Sequence, residues 1–384
     1  MHGQQSGSIL PKRHLVLLVD GTGVTAARLD TKSRHSNIYR LNLALRNHNE
    51  RSEAQITFYM PGIGSSFAGR RPKAEALGRG LVRDVEHAYI NICSNYHPGD
   101  ENSPADSLYF FGFSRGAVIV RLLAGIISRF GLLKEEYVHE FGNIWDASLG
   151  IKTENQVADL LSPACSHRVV PIQFVGVFDT VFGFYRGEYD RELENHFFRN
   201  RLLPHRVRRA IHLLAINESR SQFKPILWSD VEEPRESTRG SLEQIWMPGV
   251  HTDVGGGYES EFFANVALLT MLHRIREHTE LKVNSGYVQE VHKDFLKELG
   301  AAKTEIVIND EKANALWRLL GLATDAGLRH FGHPDKYQFI HPICHRLQNK
   351  RIVMKSEPAT TLYQLGQCDL EAVQLQEFFL EYNG

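Results

Sequence analysis

The sequence has no surplus of charge: 44 Lys and Arg stand against 45 Asp and Glu, a formal net charge of −1. A surface built to hold a phosphodiester backbone carries a basic excess or stripe, so the overall balance speaks against nucleic acid as a partner. Cysteine is scarce as well. Cys93, Cys165, Cys344 and Cys368 stand far apart with no CxxC pair, which argues against a disulfide scaffold and a structural zinc site. Folding in the reducing cytoplasm of the producing cell is the simpler expectation. The longest apolar run, Ala117 to Ile127, is interrupted by Arg121 and is too short to span a bilayer. Met1 to Ser8 is polar and Gly/Ser-rich without the apolar stretch of a signal peptide, so any secretion is expected by a non-Sec route. Internal repeats and low-complexity tracts are missing too. With hydrophobic residues at 42% and charged residues at 23%, the chain can bury a sizeable core, and disorder is not suggested. A length of 384 residues suits one large catalytic domain with an appendage better than two equal domains.

What is present is a succession of strands and helices. His14 to Asp20 is a continuous apolar run ending in Gly21-Thr22-Gly23, which reads as a buried strand and a tight loop. Asn37 to Leu45 has helical spacing, and Gln55 to Met60 is strand-like. Gly62 to Gly80 reads as a long loop, and Leu81 to Tyr96 as an amphipathic helix stopped by Pro98-Gly99. Ser107 to Phe111 and Pro171 to Phe178 are further buried strands, with a helix over Ala117 to Phe130. Val207 to Ile216 is expected to be helical, and Leu242 to Met247 to be the last core strand. The pattern predicts an α/β fold: an α/β-hydrolase-like, mainly parallel sheet with helices on both faces. The catalytic domain is expected over residues 1–281, and a mostly helical C-terminal extension packed on it over 282–384.

Gly112-Phe113-Ser114-Arg115-Gly116 matches GxSxG between a predicted strand and a predicted helix, the context a nucleophile elbow requires. The turn leaves no room for side chains at the flanking glycines, and it projects Ser114 above the sheet. The backbone N–H of Arg115, at the helix N-terminus, is placed to stabilise an oxyanion. A serine hydroxyl needs a base, and the base needs an orienting carboxylate. Asp179 ends a buried strand, where a carboxylate is unfavourable unless paired. His251 follows the last strong strand and precedes Gly255-Gly256-Gly257; of 19 histidines it has the position a catalytic base needs. His212, in a predicted helix, reads as structural, and His333 and His341 lack a strand edge. Asp253 is the rival carboxylate, with capping of the following helix as its plainer role. A second oxyanion donor is expected from the backbone of Gly21 or Thr22, unless Asp20 merely shapes that turn.

The ordered segments LVLLVDGTG, SNIYRLNLAL, FYMPGIGSS, GRGLVRDVEHAYINI, YFFGFSRGAVIVRLLAGII, VGVFDTVFGF, LAINESRSQFKPILW and IWMPGVHTDVGGGY run from Leu15 to Tyr258. Together they resemble the uncharacterised α/β hydrolase domain also found in type VI secretion phospholipase effectors. The resemblance implies Ser114, Asp179 and His251 as the triad, and phospholipid or other esters as substrates. Phe178 stands where that family often has Trp, and Gly23 where an aromatic is common. The latter departure bears on the oxyanion loop rather than on the triad.

The expected activity is therefore carboxylic ester hydrolysis through an acyl-enzyme, with no cofactor and no metal. Phe182, Phe184 and Tyr185 are candidates for an acyl pocket. Arg199 to Arg209 mixes basic and apolar residues and offers peripheral contact with anionic headgroups, against the plainer reading of a solvated helix start. A secretion apparatus or an immunity protein is the expected partner. Three alternatives remain open. One is a cytoplasmic small-ester hydrolase; another is a metal-dependent phosphoesterase using Asp20, Asp179, His251 and Asp253. The third is a catalytically inactive, hydrolase-like interaction module.

Overall fold

The computed structural model describes residues 12–26, 33–45, 54–65, 75–183, 201–232, 241–300, 306–309, 329, 336–354, 360–366 and 368–375. Seven strands form the central sheet: β1 (Arg13–Val19), β2 (Ala54–Met60), β3 (Ser107–Phe113), β4 (Ile172–Phe178), β5 (Ala210–Ala215), β6 (Leu242–Met247) and β7 (Gln338–Ile340). Their order is β7-β6-β5-β4-β3-β1-β2, and every neighbouring pair is parallel. The chain fills one edge with β2, then crosses β1 and adds β3 to β7 in succession. The order therefore reverses at β1 and β3, where clefts open at the C-terminal edge of such sheets.

Strands covered on both faces explain the continuous apolar runs. Along β1, Leu15, Leu17 and Val19 join one core cluster while Val16 and Leu18 join the other. The same alternation runs through Leu108 and Phe110 against Tyr109 and Phe111 in β3, as a period of two requires. One face is covered by α1 (Asn37–Ala44), α5 (Phe262–His278) and α6 (Ser285–Gly300). The other is covered by α2 (Glu75–Cys93) and α3 (Arg115–Phe130). A short helix, α4 (His251–Gly255), follows β6, and its Val254 packs into the cluster of α1 and α5. Ser36 caps α1, its hydroxyl accepting from the amide of Tyr39.

Two expectations are corrected. Residues 210–215 form the fully buried β5, not a helix. The run AIHLLA contains good helix formers, and a short apolar stretch has no period to tell the two apart; pairing with β4 and β6 on either side decides for strand. His212 consequently sits inside the sheet, its Nε2 accepting from the amide of Thr180 at 3.1 Å. Secondly, β6 is not the last core strand, because β7 pairs with it through Gln244, Ile245 and Trp246. The region after residue 282, where a mostly helical extension is expected, carries helices over Ser285–Gly300 and Ile343–Leu347 and also strands among the described residues. Besides β7, Ile306–Ile308, Arg351–Met354 and Thr360–Leu362 form a small three-stranded sheet. Its Ile306, Ile308 and Ile352 belong to the same core cluster as α1 and α5. Strands of three or four residues are too short to leave a periodic trace.

Phe110, in the middle of β3, is fully buried between the sheet and α2–α3. Phe110→Ala is expected to lower the free energy of unfolding by about 3–5 kcal/mol, read as a fall in the denaturant midpoint without a change in slope.

Candidate active site

Ser114 is the corner between β3 and α3, with φ 58° and ψ −122°. A non-glycine residue holds so sparsely populated a conformation only where its surroundings over-determine it. Here they do. A Cβ on Gly112 would lie 2.6 Å from the Cα of Ala117, and one on Gly116 would lie 2.2 Å from the carbonyl oxygen of Val19. The flanking glycines thus let the strand and helix close against β1. The amide of Ser114 also donates to the carbonyl of Phe178 at 3.1 Å, tying the corner to the end of β4.

Asp179 follows β4 at φ 41°, and its amide donates to the carbonyl of Leu213 in β5 at 2.8 Å. His251 begins α4 beyond the end of β6. These three strand ends bring the predicted residues into one row. His251 Nε2 lies 2.9 Å from Ser114 Oγ, and its Nδ1 lies 2.6 Å from Asp179 Oδ2. With Asp179 ionised, Nδ1 carries the proton and Nε2 accepts from the hydroxyl. The imidazole is held between Phe113 and Phe223, with ring centroids 4.7 and 4.9 Å away.

Asp179 is fully buried, and burial by itself would raise its pKa. The Arg329 guanidinium, and then the hydrogen bond from His251, outweigh that and hold the carboxyl well below the usual range. Its Oδ1 also accepts from the amide of Ala215 at 3.1 Å. Arg329 forks onto both oxygens, at 2.6 and 2.9 Å. The sequence offers no signal for it, since it lies far from any motif. Glu218 and Arg220 were also missed. They form a buried bidentate pair at 2.8 and 2.7 Å; Glu218 Oε2 accepts from the amide of His251 at 3.3 Å. Arg220 stacks over Phe223, 3.6 Å from the ring centroid. Two opposite charges two residues apart, just past the end of a buried strand, are the signal that could have found them.

Asp253 caps the helix it sits in, α4, rather than the one that follows. Its Oδ2 accepts from the amide of Val250 at 3.0 Å and from that of Asn309 at 3.1 Å, while Oδ1 accepts from Asn309 Nδ2 at 2.6 Å. Asp20 accepts from the amide of Gly21 at 2.8 Å, from Ser36 Oγ at 2.5 Å and from Tyr59 Oη at 2.9 Å. The Gly21 amide is thereby engaged, which removes it from the oxyanion candidates. Burial pushes Asp20 up to about 6 and Asp253 up to about 7, with those hydrogen bonds pulling each partly back. Among the described residues no group of three or more His, Cys, Asp or Glu is arranged to hold a metal.

A cavity of about 340 Å³ opens at Ser114, with Thr22, Arg115, Val181, Gly183 and Phe223 in its wall. Arg115 Nε donates to Thr22 Oγ1 across it. Phe182 is instead 6% exposed and packed into the core on the α2–α3 side, because the chain here alternates and its two neighbours take the cavity wall. Phe184 and Tyr185 lie outside the described residues, as does His333. His341 is buried, bonded through Nε2 to Thr270 Oγ1 at 3.0 Å. The basic stretch from Arg201 is not a helix start. Arg206 donates to the carbonyl of Ser128 and Arg209 pairs with Glu243, while Leu202 is exposed.

A wholly parallel sheet with helices on both faces, and a Ser–His–Asp row at its C-terminal edge, makes this an α/β-hydrolase-like protein. Residues 13–274 match the family described as "T6SS, Phospholipase effector Tle1-like, catalytic domain", and the chain belongs to that family. It is 26% identical over 238 residues to the Uncharacterized protein YEL023C of Saccharomyces cerevisiae, an alignment covering 56% of this chain and 33% of that one. Among solved structures, it is similar to an uncharacterized protein from Pseudomonas aeruginosa (17% identity, TM-score 0.46, 75% of this chain and 49% of that one). A second is the Tle1 effector bound to the VgrG spike of the type 6 secretion system (21% identity, TM-score 0.36, 65% and 52%). The chain thus spans a third of the length of the yeast relative and about half of these two structures.

A raised carboxyl leaves a signature in stability. Between pH 4 and 7 the folded state keeps the Asp253 proton that the unfolded state has released, so its contribution falls as pH rises through that window. Relative to Asp253→Asn, the wild type is expected to lose on the order of 1 kcal/mol per pH unit from pH 4 to 7, then level off. Paired denaturant titrations across pH measure this; parallel stability curves would contradict it.

Proposed function

We propose that the protein is a serine hydrolase cleaving carboxylic esters of phospholipids through an acyl-enzyme. The observation that carries the reading is the unbroken row from Ser114 Oγ through both nitrogens of His251 to Asp179, at 2.9 and 2.6 Å. Ser114 Oγ attacks the ester carbonyl carbon while its proton passes to His251 Nε2. Asp179 keeps the imidazole in the tautomer whose Nε2 is free to accept and stabilises the imidazolium that forms. The negative charge on the carbonyl oxygen is met by the backbone amides of Arg115, at the start of α3, and Thr22. The tetrahedral adduct collapses, the C–O bond to the alcohol breaks, and Nε2 returns its proton to the leaving oxygen. Water then attacks the acyl-serine, giving its proton to Nε2, and the fatty acid leaves as Ser114 is re-protonated.

Family membership supports a phospholipid substrate, and likewise a secretion-apparatus partner with export by a non-Sec route. Among the described residues no helix is long and apolar enough to cross a membrane.

Ser114→Ala is expected to lower fatty-acid release from phosphatidylethanolamine–phosphatidylglycerol vesicles by about 10⁴-fold or more. It should also abolish labelling by a fluorophosphonate probe. Undiminished release by the purified, folded variant would refute the reading, whereas serine labelling without lipid turnover would keep the mechanism and remove the substrate.

A further inference from the structure

Arg329 lies beyond the part of the chain that matches the family, residues 13–274, yet its guanidinium reaches the acid of the proposed triad. Nη1 donates to Asp179 Oδ1 at 2.6 Å and to the carbonyl of Ala215 at 2.9 Å. Nη2 donates to Asp179 Oδ2 at 2.9 Å and to the carbonyl of Phe223. The side chain is 6% exposed and that of Asp179 not at all. Each terminal nitrogen thus splits its donors between the carboxylate and a fixed backbone oxygen, which sets the plane of the fork as well as its distance.

Oδ2 gives this pair its bearing on chemistry, because it accepts from Arg329 and from His251 Nδ1 together. Two anchored oxygens cannot rotate about Cβ–Cγ, so a lone pair stays aimed at the imidazole. The guanidinium also changes the charge arithmetic. With it, the acid–base pair at rest is part of a neutral ensemble; without it, one buried negative charge remains beside the imidazole and holds a proton there more tightly.

We propose that Arg329 is a positioning residue for the reaction, fixing the orientation of Asp179 and, through it, the alignment of His251 as a base. The inference rests on the hydrolase reading above. Other charged or titratable groups around the pair are accounted for. His212 on β5 is kept neutral by burial, which lowers it to about 3. Arg121 on α3 acts on His212, and Glu218 is bound to Arg220. Asp253 on α4, near 7, and Asp20 after β1, near 6, both titrate close to neutrality; Asp253 stands two residues from His251 on the same helix, so Asp253→Asn is the control.

The test compares Arg329→Gln and Arg329→Lys with wild type by two readouts. The first is hydrolysis per fluorophosphonate-titrated serine. The second, independent of turnover, is the pH midpoint of the low-field proton resonance of His251 Nδ1–H. Arg329→Gln is expected to lower kcat by about 10²-fold with KM within a few-fold. It should raise both the midpoint and the acid limb of kcat/KM by about one pH unit. Arg329→Lys keeps the charge but not the fork, so its midpoint should stay near wild type while kcat falls by about tenfold. Asp253→Asn should leave the acid limb in place.

Wild-type kcat per titrated serine and an unmoved midpoint in Arg329→Gln would overturn the inference. So would an acid limb that follows Asp253→Asn instead. If the Gln variant does not fold, wild-type kcat per titrated serine in Arg329→Lys overturns it alone. A shifted midpoint in a protein that hydrolyses no ester would leave Arg329 its role and sink the hydrolase reading, so the two failures are distinguishable.

Discussion

A carboxylate with no exposure to water sets the terms for this site. Asp179 sits at the end of a strand covered on both faces, where an unpaired charge would be costly. It is stabilised by convergent donors: an imidazole, a guanidinium and a backbone amide. Those donors come from three separate parts of the chain. The acid therefore gathers the site, and the orientation of His251 toward Ser114 follows from how Asp179 is held.

A second ring of interactions fixes His251 from behind. Its amide leans on Glu218, its helix is capped by Asp253, and Asp253 is in turn gripped by Asn309. Neither carboxylate touches the hydroxyl. Each converts a short helix of five residues, which has little stability of its own, into a rigid platform for the imidazole.

The parts of this arrangement that were legible in the sequence are those with local signatures. Ser114 was announced by two glycines between an apolar strand and a helix, and the steric reason given for them is the one found at Gly112 and Gly116. Asp179 and His251 were legible because a polar residue ending a buried strand stands out. What was not legible depends on tertiary partners. AIHLLA becomes β5 only because strands flank it, and β7 is three residues long. Arg329 carries no pattern at all, since its role is defined by an acid 150 positions earlier. The loop after β1 was half-legible: Thr22 lines the cavity, but only the fold reveals that Asp20 has claimed the Gly21 amide.

Serine and acid hang from the ends of adjacent parallel strands, with the base two strands further along. Hydrogen-bonded strands repeat every 4.7–4.9 Å whatever connects them. The separation of the three side chains is accordingly set by a ruler built into the ladder, and extra sequence can be inserted in the crossovers without stretching it. That tolerance suits a framework occupying a third of one much longer relative: the scaffold can accumulate cargo while its working atoms keep their spacing.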